Sequence, residues 1–270
     1  MITRDYITKD NIKIFNPDIC ENHSDYNSKG LDNLFSQEEN HFWFIARKEF
    51  ILQNLRKRVT KNAKIIEIGA GTGNVSRYLK NKGYENISVG EMHLNGLKYA
   101  KGYGIKDCYQ FDLLEAPFEN EFDAVCMFDV LEHISDDTKA LCGVHKMLNK
   151  DGNIILTVPS HMWLWNRDDS IAGHKVRYTK KQLTTILSQN GFEIIKAKYF
   201  FMGIVPLLWL RTILNKDDGS IVKDHEHNID MSINPILNKI LLFISRVENK
   251  LNKFIPNIFG GSLFIIARKK

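Results

Sequence analysis

An apolar run that ends in closely spaced glycines constrains this chain more than any other feature. Residues 65–73 read Ile-Ile-Glu-Ile-Gly-Ala-Gly-Thr-Gly, a strand-like segment entering a loop with glycines at Gly69, Gly71 and Gly73. A helix is expected to open near Asn74. Glycine lets the backbone turn sharply and approach a ligand closely, and a helix N-terminus offers unpaired N–H groups to an anion. A dinucleotide-binding loop carries its third glycine one place later, so that a diphosphate rests on the helix. Asn74 occupies that place here. The resulting G-x-G-x-G loop favours a nucleoside bearing a small carboxylate over one bearing a diphosphate. The apolar stretch 87–90 then ends in Glu91, an acid placed to accept ribose hydroxyls at the tip of a second strand.

Three further landmarks follow in order: Phe111-Asp112-Leu113, the apolar run 122–129 ending in Phe128-Asp129, and Leu148-Asn149-Lys150-Asp151-Gly152-Asn153 leading into 154–158. Together with the glycine loop they resemble the class I S-adenosylmethionine-dependent methyltransferase family over residues 60–200 and again at 262–269. The resemblance implies a Rossmann-like α/β fold, a doubly wound, mostly parallel sheet of seven strands with helices on both faces. Its last strand, 262–267, would insert antiparallel between the fifth and sixth. S-adenosylmethionine is the implied cofactor, held by Glu67, Gly69, Gly71, Gly73, Glu91, Met92, Asp112, Leu113 and Phe128. In that family Asp112 would meet the adenine amino group, and the strand ending at Phe128 would finish beside the reactive sulfur.

The residues by themselves support the same class. Strands are expected near 64–68, 87–90, 106–110, 123–128, 153–158 and 192–199, with helices near 74–82, 94–102, 136–149 and 179–190. Such alternation means a parallel sheet covered on both faces. Residues 1–35 are polar and lack periodicity, reading as an arm, and helical spacing runs from about 36 to 59. The organisation is thus an arm and lid helix (1–59), a cofactor-binding core (60–200), a helical insertion (201–261), and a last strand with a basic tail (262–270). Net charge is +5, from 37 basic and 32 acidic residues well mixed over 270, so no basic field points to nucleic acid. Cys20, Cys108, Cys126 and Cys142 show no zinc spacing, and no charged-then-apolar leader opens the chain. Both features suggest the cytoplasm, where the Asn22–Ser24 and Asn86–Ser88 glycosylation patterns would be coincidences.

Methyl transfer needs alignment and, for a hydroxyl or amine acceptor, a base. Candidates must lie where the fourth strand ends, at Asp129-Val130-Leu131-Glu132-His133. His133 is the preferred base because an imidazole titrates near working pH; alternatively Glu132 and His133 pin the loop or hold the cofactor through hydrogen bonds. Asp129 and His174 are expected to join it. The loop after the fifth strand supplies His161, Trp163, Arg177 and Tyr178 as acceptor contacts, although its tryptophans could equally pack beneath the loop. His41–Arg47 is a candidate lid, with Arg47 available to the cofactor carboxylate, or an aromatic face of core packing. Asp-x-x-Glu-His with a later Gly-His-Lys also resembles two metal-assisted subgroups, the ubiquinone-pathway O-methyltransferases and the small-RNA 2′-O-methyltransferases. Asp129 stands where those carry Glu, and no metal is assigned.

The insertion is the unusual part. Residues 200–214 are almost wholly apolar, and Ile233, Ile236, Leu237, Ile240, Leu241, Ile244, Val247, Leu251 and Phe254 recur at helical steps opposite a polar face. This amphipathic segment would serve as a cap on the domain, a homodimer contact, or a peripheral membrane contact near a lipid-linked acceptor. The functional expectation is a methyltransferase acting on a hydroxyl of a small or lipid-linked molecule. A nicotinamide-dependent oxidoreductase and a non-catalytic cofactor-binding module are the competing readings, and the first lacks both the glycine spacing and a Tyr-x-x-x-Lys pair.

Overall fold

Alternating apolar strands and helices form one nine-stranded sheet in a computed structural model, which describes residues 1–19, 31, 35–220, 232–252, 254 and 257–270. Cys20, the Asn22–Ser24 pattern and Lys253 lie outside the described residues. The strands are β1 (Ile7–Lys9), β2 (Ile12–Ile14), β3 (Ile65–Ile68), β4 (Ile87–Glu91), β5 (Asp107–Gln110), β6 (Phe122–Phe128), β7 (Leu148–Pro159), β8 (Phe192–Phe200) and β9 (Ser262–Lys269). Their order across the sheet is β1-β2-β5-β4-β3-β6-β7-β9-β8. β3 pairs in parallel with both β4 and β6, so Ile68 stands level with Gly90 and Met127. β9 runs antiparallel between β7 and β8, where the family resemblance puts it.

The helices are α1 (Phe42–Leu55), α2 (Asn74–Lys80), α3 (Leu94–Gly102), α4 (Asp137–Met147), α5 (Arg167–Ala172), α6 (Lys180–Gln189), α7 (Val205–Leu214) and α8 (Pro235–Leu251). Side chains alternate across each strand, which gives the sheet two apolar layers. Val125 and Met127 of β6 pack with Leu141 and Val144 of α4 and Leu183 and Leu187 of α6. Ala124, Cys126 and Phe128 face the other way, onto Phe50 and Ile51 of α1 and Leu79 of α2. Phe50 stacks on Phe200 at 4.5 Å and meets Phe264 edge-on at 5.5 Å. Each such buried ring contributes roughly 1.5–3 kcal/mol.

Two features depart from expectation. The polar arm is not featureless, because residues 7–14 form a hairpin that adds two strands to the seven. Asp10 and Asn11 take positive φ (53° and 58°) at its two-residue turn. Ile12 and Ile14 are then buried as β2 pairs in parallel with β5. The second departure is α8. It docks through a largely polar face, burying Leu241, Ser245, Glu248 and Asn249. Ile236 (70 % exposed), Phe243 (69 %) and Leu251 (47 %) face outward. Polar contacts to other elements hold it this way. Asn238 accepts from Phe42 N and donates to Asn40 O, both at 2.8 Å. Glu248 accepts from Met202 N and Gly203 N at 3.0 and 2.9 Å.

Candidate active site

The strand order reverses around β3, and the carboxyl ends of β3, β4 and β6 open there into a cavity of about 960 Å³. Open α/β sheets offer their ligand crevice at this switch point. The glycine loop forms one end. Gly69 takes φ +61°, and a Cβ there would lie 2.6 Å from Val130 Cγ2. Gly71 takes φ +54°. Gly73 caps α2 and packs it on α3, where a Cβ would stand 2.8 Å from that of Ala100, so it shapes the loop without lining the cavity. Sequence reasoning missed Gly96, whose absent Cβ leaves room for Gly71 O; the two would be 2.4 Å apart.

Glu91 ties the loop to the second strand. One carboxylate oxygen accepts from Gly71 N at 2.8 Å, and the other accepts from Met92 N and His93 N at 2.8 and 3.1 Å. Burial nevertheless raises its pKa, against those bonds. Glu67, at the end of β3, is pushed up to about 7 by burial although the Ser76 hydroxyl donates to it. Glu38, also missed, is buried beside the loop and accepts from the Thr72 hydroxyl at 2.5 Å. The Asn74 side chain, in the sixth-position glycine's place, accepts from Lys48 Nζ at 3.0 Å. Arg47 lies among these acids, and its Nε is buried with no hydrogen-bond partner. A buried orphan donor beside carboxylates fits a ligand with both carboxylate and ammonium groups. Farther along, Phe111, Asp112, Leu113 and Phe128 line the cavity, and Asp112 also caps a short turn through Leu114 N at 2.8 Å. A nucleoside carrying an amino acid fits this succession of groups.

The far end of β6 brings the candidate catalytic groups together. Asp129, at φ +58°, is fixed by an ion pair with Arg47 and by the Thr157 hydroxyl, which donates to it at 2.9 Å. Glu132 is fully buried, and neither carboxylate oxygen has a hydrogen-bond partner. Burial, reinforced by Asp129, pushes its pKa far up. Burial pulls His133 down to about 3, with His174 and Lys175 adding to the shift, so its ring is neutral at working pH. His174 is held differently. Its Nδ1 lies 2.7 Å from Asp169 Oδ1, while Nε2 stands 4.0 Å from Glu132 Oε1. A carboxylate can only accept, so the His174 ring carries a proton on Nδ1. Arg177 completes the set with two bonds to Asp169, at 2.8 and 2.9 Å. Burial works to raise the Asp169 pKa, but His174 and Arg177 hold it below the usual carboxylate range. Ligand atoms of Glu132, His133 and His174 lie within 4.8 Å of one another, close enough to share a divalent cation.

The expected residues therefore divide. Asp129, His133, His174 and Arg177 reach the cavity, whereas His161, Trp163 and Tyr178 do not line it. His161 turns away at φ +62° and stacks on Tyr199 at 4.8 Å. The Tyr178 hydroxyl donates to Asp137 at 3.1 Å, and Trp163 is half exposed. Asp169 was overlooked; its signal is the Asn166-x-x-Asp169 capping box that starts α5. The first turns of α1 line the cavity with Phe42, Trp43, Phe44 and Arg47, while Trp43 also stacks on Phe201 at 4.3 Å.

Residues 37–197 match the family model described as a methyltransferase domain. No curated protein sequence matches the chain. Among solved structures, an S-adenosylmethionine-dependent methyltransferase from Thermotoga maritima is 15% identical, with 90% of this chain and 100% of that one covered and a TM-score of 0.54. One from Mesorhizobium loti is 15% identical, covering 82% and 98%, with a TM-score of 0.53. One from Archaeoglobus fulgidus is 18% identical, covering 82% and 94%, with a TM-score of 0.50. At these identities the likeness shows the fold and nothing finer.

Proposed function

The chain belongs to the methyltransferase-domain family and is a class I S-adenosylmethionine-dependent methyltransferase; from that premise we propose that it methylates a hydroxyl of a small or lipid-linked acceptor, with His174 taking the proton. Membership of that family sets the nicotinamide-dependent reading aside. When bound, the donor supplies a methyl group already activated by a positively charged sulfur. Glu91, Met92, Asp112 and Leu113 would hold the adenosine, and Arg47 with Glu67 the amino-acid end. The observation that carries the proposal is the Asp169–His174 pair in the same cavity as the glycine loop. Asp169 orients the ring and stabilises the imidazolium that forms when Nε2 accepts the hydroxyl proton. His133, too weakly basic for that task, would position the acceptor as a neutral ring. We place the reaction in the cytoplasm, where the buried thiols of Cys108 and Cys126 stay reduced.

The test is turnover with a panel of hydroxyl and amine acceptors, read as S-adenosylhomocysteine released. His174→Ala should lower kcat on the hydroxyl substrate by about 10²–10⁴-fold and leave the affinity for S-adenosylhomocysteine unchanged. Unaltered turnover, or methylation of amines alone, would contradict the assignment. A second reading is favoured by the unpartnered carboxylate of Glu132, namely that it shares a divalent cation with His133 and His174. Metal that copurifies with the protein and is lost in Glu132→Gln would support that reading over His174 as a free base.

A further inference from the structure

The insertion turns its apolar side away from the protein. On α7, Trp209 (53 % exposed), Leu210, Ile213 and Leu214 (77 %) are exposed, and Ile236, Ile240 and Phe243 of α8 join them. An amphipathic helix in a globular protein normally buries that face. Here the polar face is the docked one, through Asn238, Glu248 and Asn249. The exposed charge on the two helices has one sign. Lys239 and Lys250 are exposed, as are Arg211 and Arg246, which pair with Asp168 and Glu49 on neighbouring elements, while Glu248, the only acid on either helix, is buried against the Met202 and Gly203 N–H groups. Leu207, Leu210 and Leu214 of α7, with Ile233 and Leu237 before and on α8, also line the cavity that reaches the glycine loop. The apolar exterior therefore continues into the wall of the site.

We propose that α7 and α8 form an interfacial face that seats the protein on an anionic lipid bilayer, with the mouth of the cavity against the lipid. Apolar side chains with a basic margin are the composition that lies in a headgroup region, and no helix among the described residues is long and apolar enough to cross a membrane. A second copy of the chain would bring the basic margins of two subunits together, a repulsion that an anionic surface converts into attraction. Resting on the methyltransferase reading, the acceptor is then an amphiphile drawn from the bilayer, its chain along Leu207, Leu210 and Leu237 and its hydroxyl toward His174.

Vesicle flotation of the full chain tests the docking face, using about seven parts phosphatidylcholine to three parts phosphatidylglycerol. Neither Trp209 nor Phe243 lines the cavity. The wild type should float with these vesicles, and the Trp209→Ser/Phe243→Ser variant should partition at least ~10-fold less. Lys239→Glu/Lys250→Glu should weaken binding by a similar factor, and S-adenosylhomocysteine affinity should be unchanged in every variant. Wild-type protein that stays in solution while binding S-adenosylhomocysteine would overturn the docking face and leave the enzyme assignment intact. So would a stable dimer in sedimentation equilibrium that the serine variant dissolves, or equal binding to phosphatidylcholine alone.

Discussion

The glycine-loop end and the helical insertion follow opposite rules of burial. Around the loop, polar groups point inward and are held by near neighbours, as Glu91 is held by Gly71, Met92 and His93. In the insertion, α8 sends polar groups inward to bind distant backbone, as Asn238 does at Phe42, and leaves Ile236, Ile240 and Phe243 outside. The difference is one of origin. A strand, a tight turn and a helix start within residues 65–74 specify the loop, whereas the pose of α8 depends on Met202 and Gly203, some 45 residues away, and on Asn40, Phe42 and Ala46, about two hundred residues away. A site built the first way tolerates little change. A surface built the second way is free to change in the isolated protein and constrained only by what it meets.

Substitutions should separate the two regimes. Gly69→Ala forces a side chain into a left-handed conformation and onto Val130; binding of S-adenosylhomocysteine should fall by about 100-fold or more in calorimetry. Asp169→Asn keeps the shape but allows the wrong His174 tautomer, so kcat should drop on the order of a hundredfold. The pH dependence of stability comes next. With its carboxyl near 7 in the fold and near the ordinary 4.5 when unfolded, Glu67 keeps a proton that the unfolded chain has released. Stability should therefore fall as pH rises from 4.5 through about 7, by on the order of 3 kcal/mol, and Glu67→Gln should flatten that slope in urea titrations. In the insertion, Asn238→Ala should cost about 1–2 kcal/mol by leaving Phe42 N–H without its partner. Smallest of all, Ile240→Ser should alter thermal stability by no more than about 0.5 kcal/mol. A helix docked in the usual sense would lose several times as much.

What could be read from the residues follows the same division. Strands β3, β4, β6, β7 and β9 were legible because each is an apolar run bounded by its own turn signals, and the positions of Glu67, Gly69, Gly71, Glu91 and Asp112 came with them. The β1–β2 hairpin was hidden because an Asp10-Asn11 turn between short, polar-edged strands is a weak signal beside Asn-Gly. Asp169 passed unnoticed as a helix cap, though the same carboxylate also binds His174 and Arg177. His161, Trp163 and Tyr178 lie on the right loop, but a bridge from Ser160 to Tyr178 and the positive φ at His161 steer them off the cavity. The outward face of α8 has no local signal, because its pattern reads the same whether the apolar side is buried or bare.

Titration of S-adenosylhomocysteine into wild type, Glu91→Gln and Glu91→Ala tests most directly whether the loop and its acid together grip an adenosyl amino acid. Saturable heat at one site is expected for the wild type, with affinity weakened by roughly 10–100-fold in both variants as the charged acceptor of the ribose hydroxyls is lost. Equal binding by all three proteins, or none to the wild type alongside tight binding of a diphosphate dinucleotide, would contradict the account.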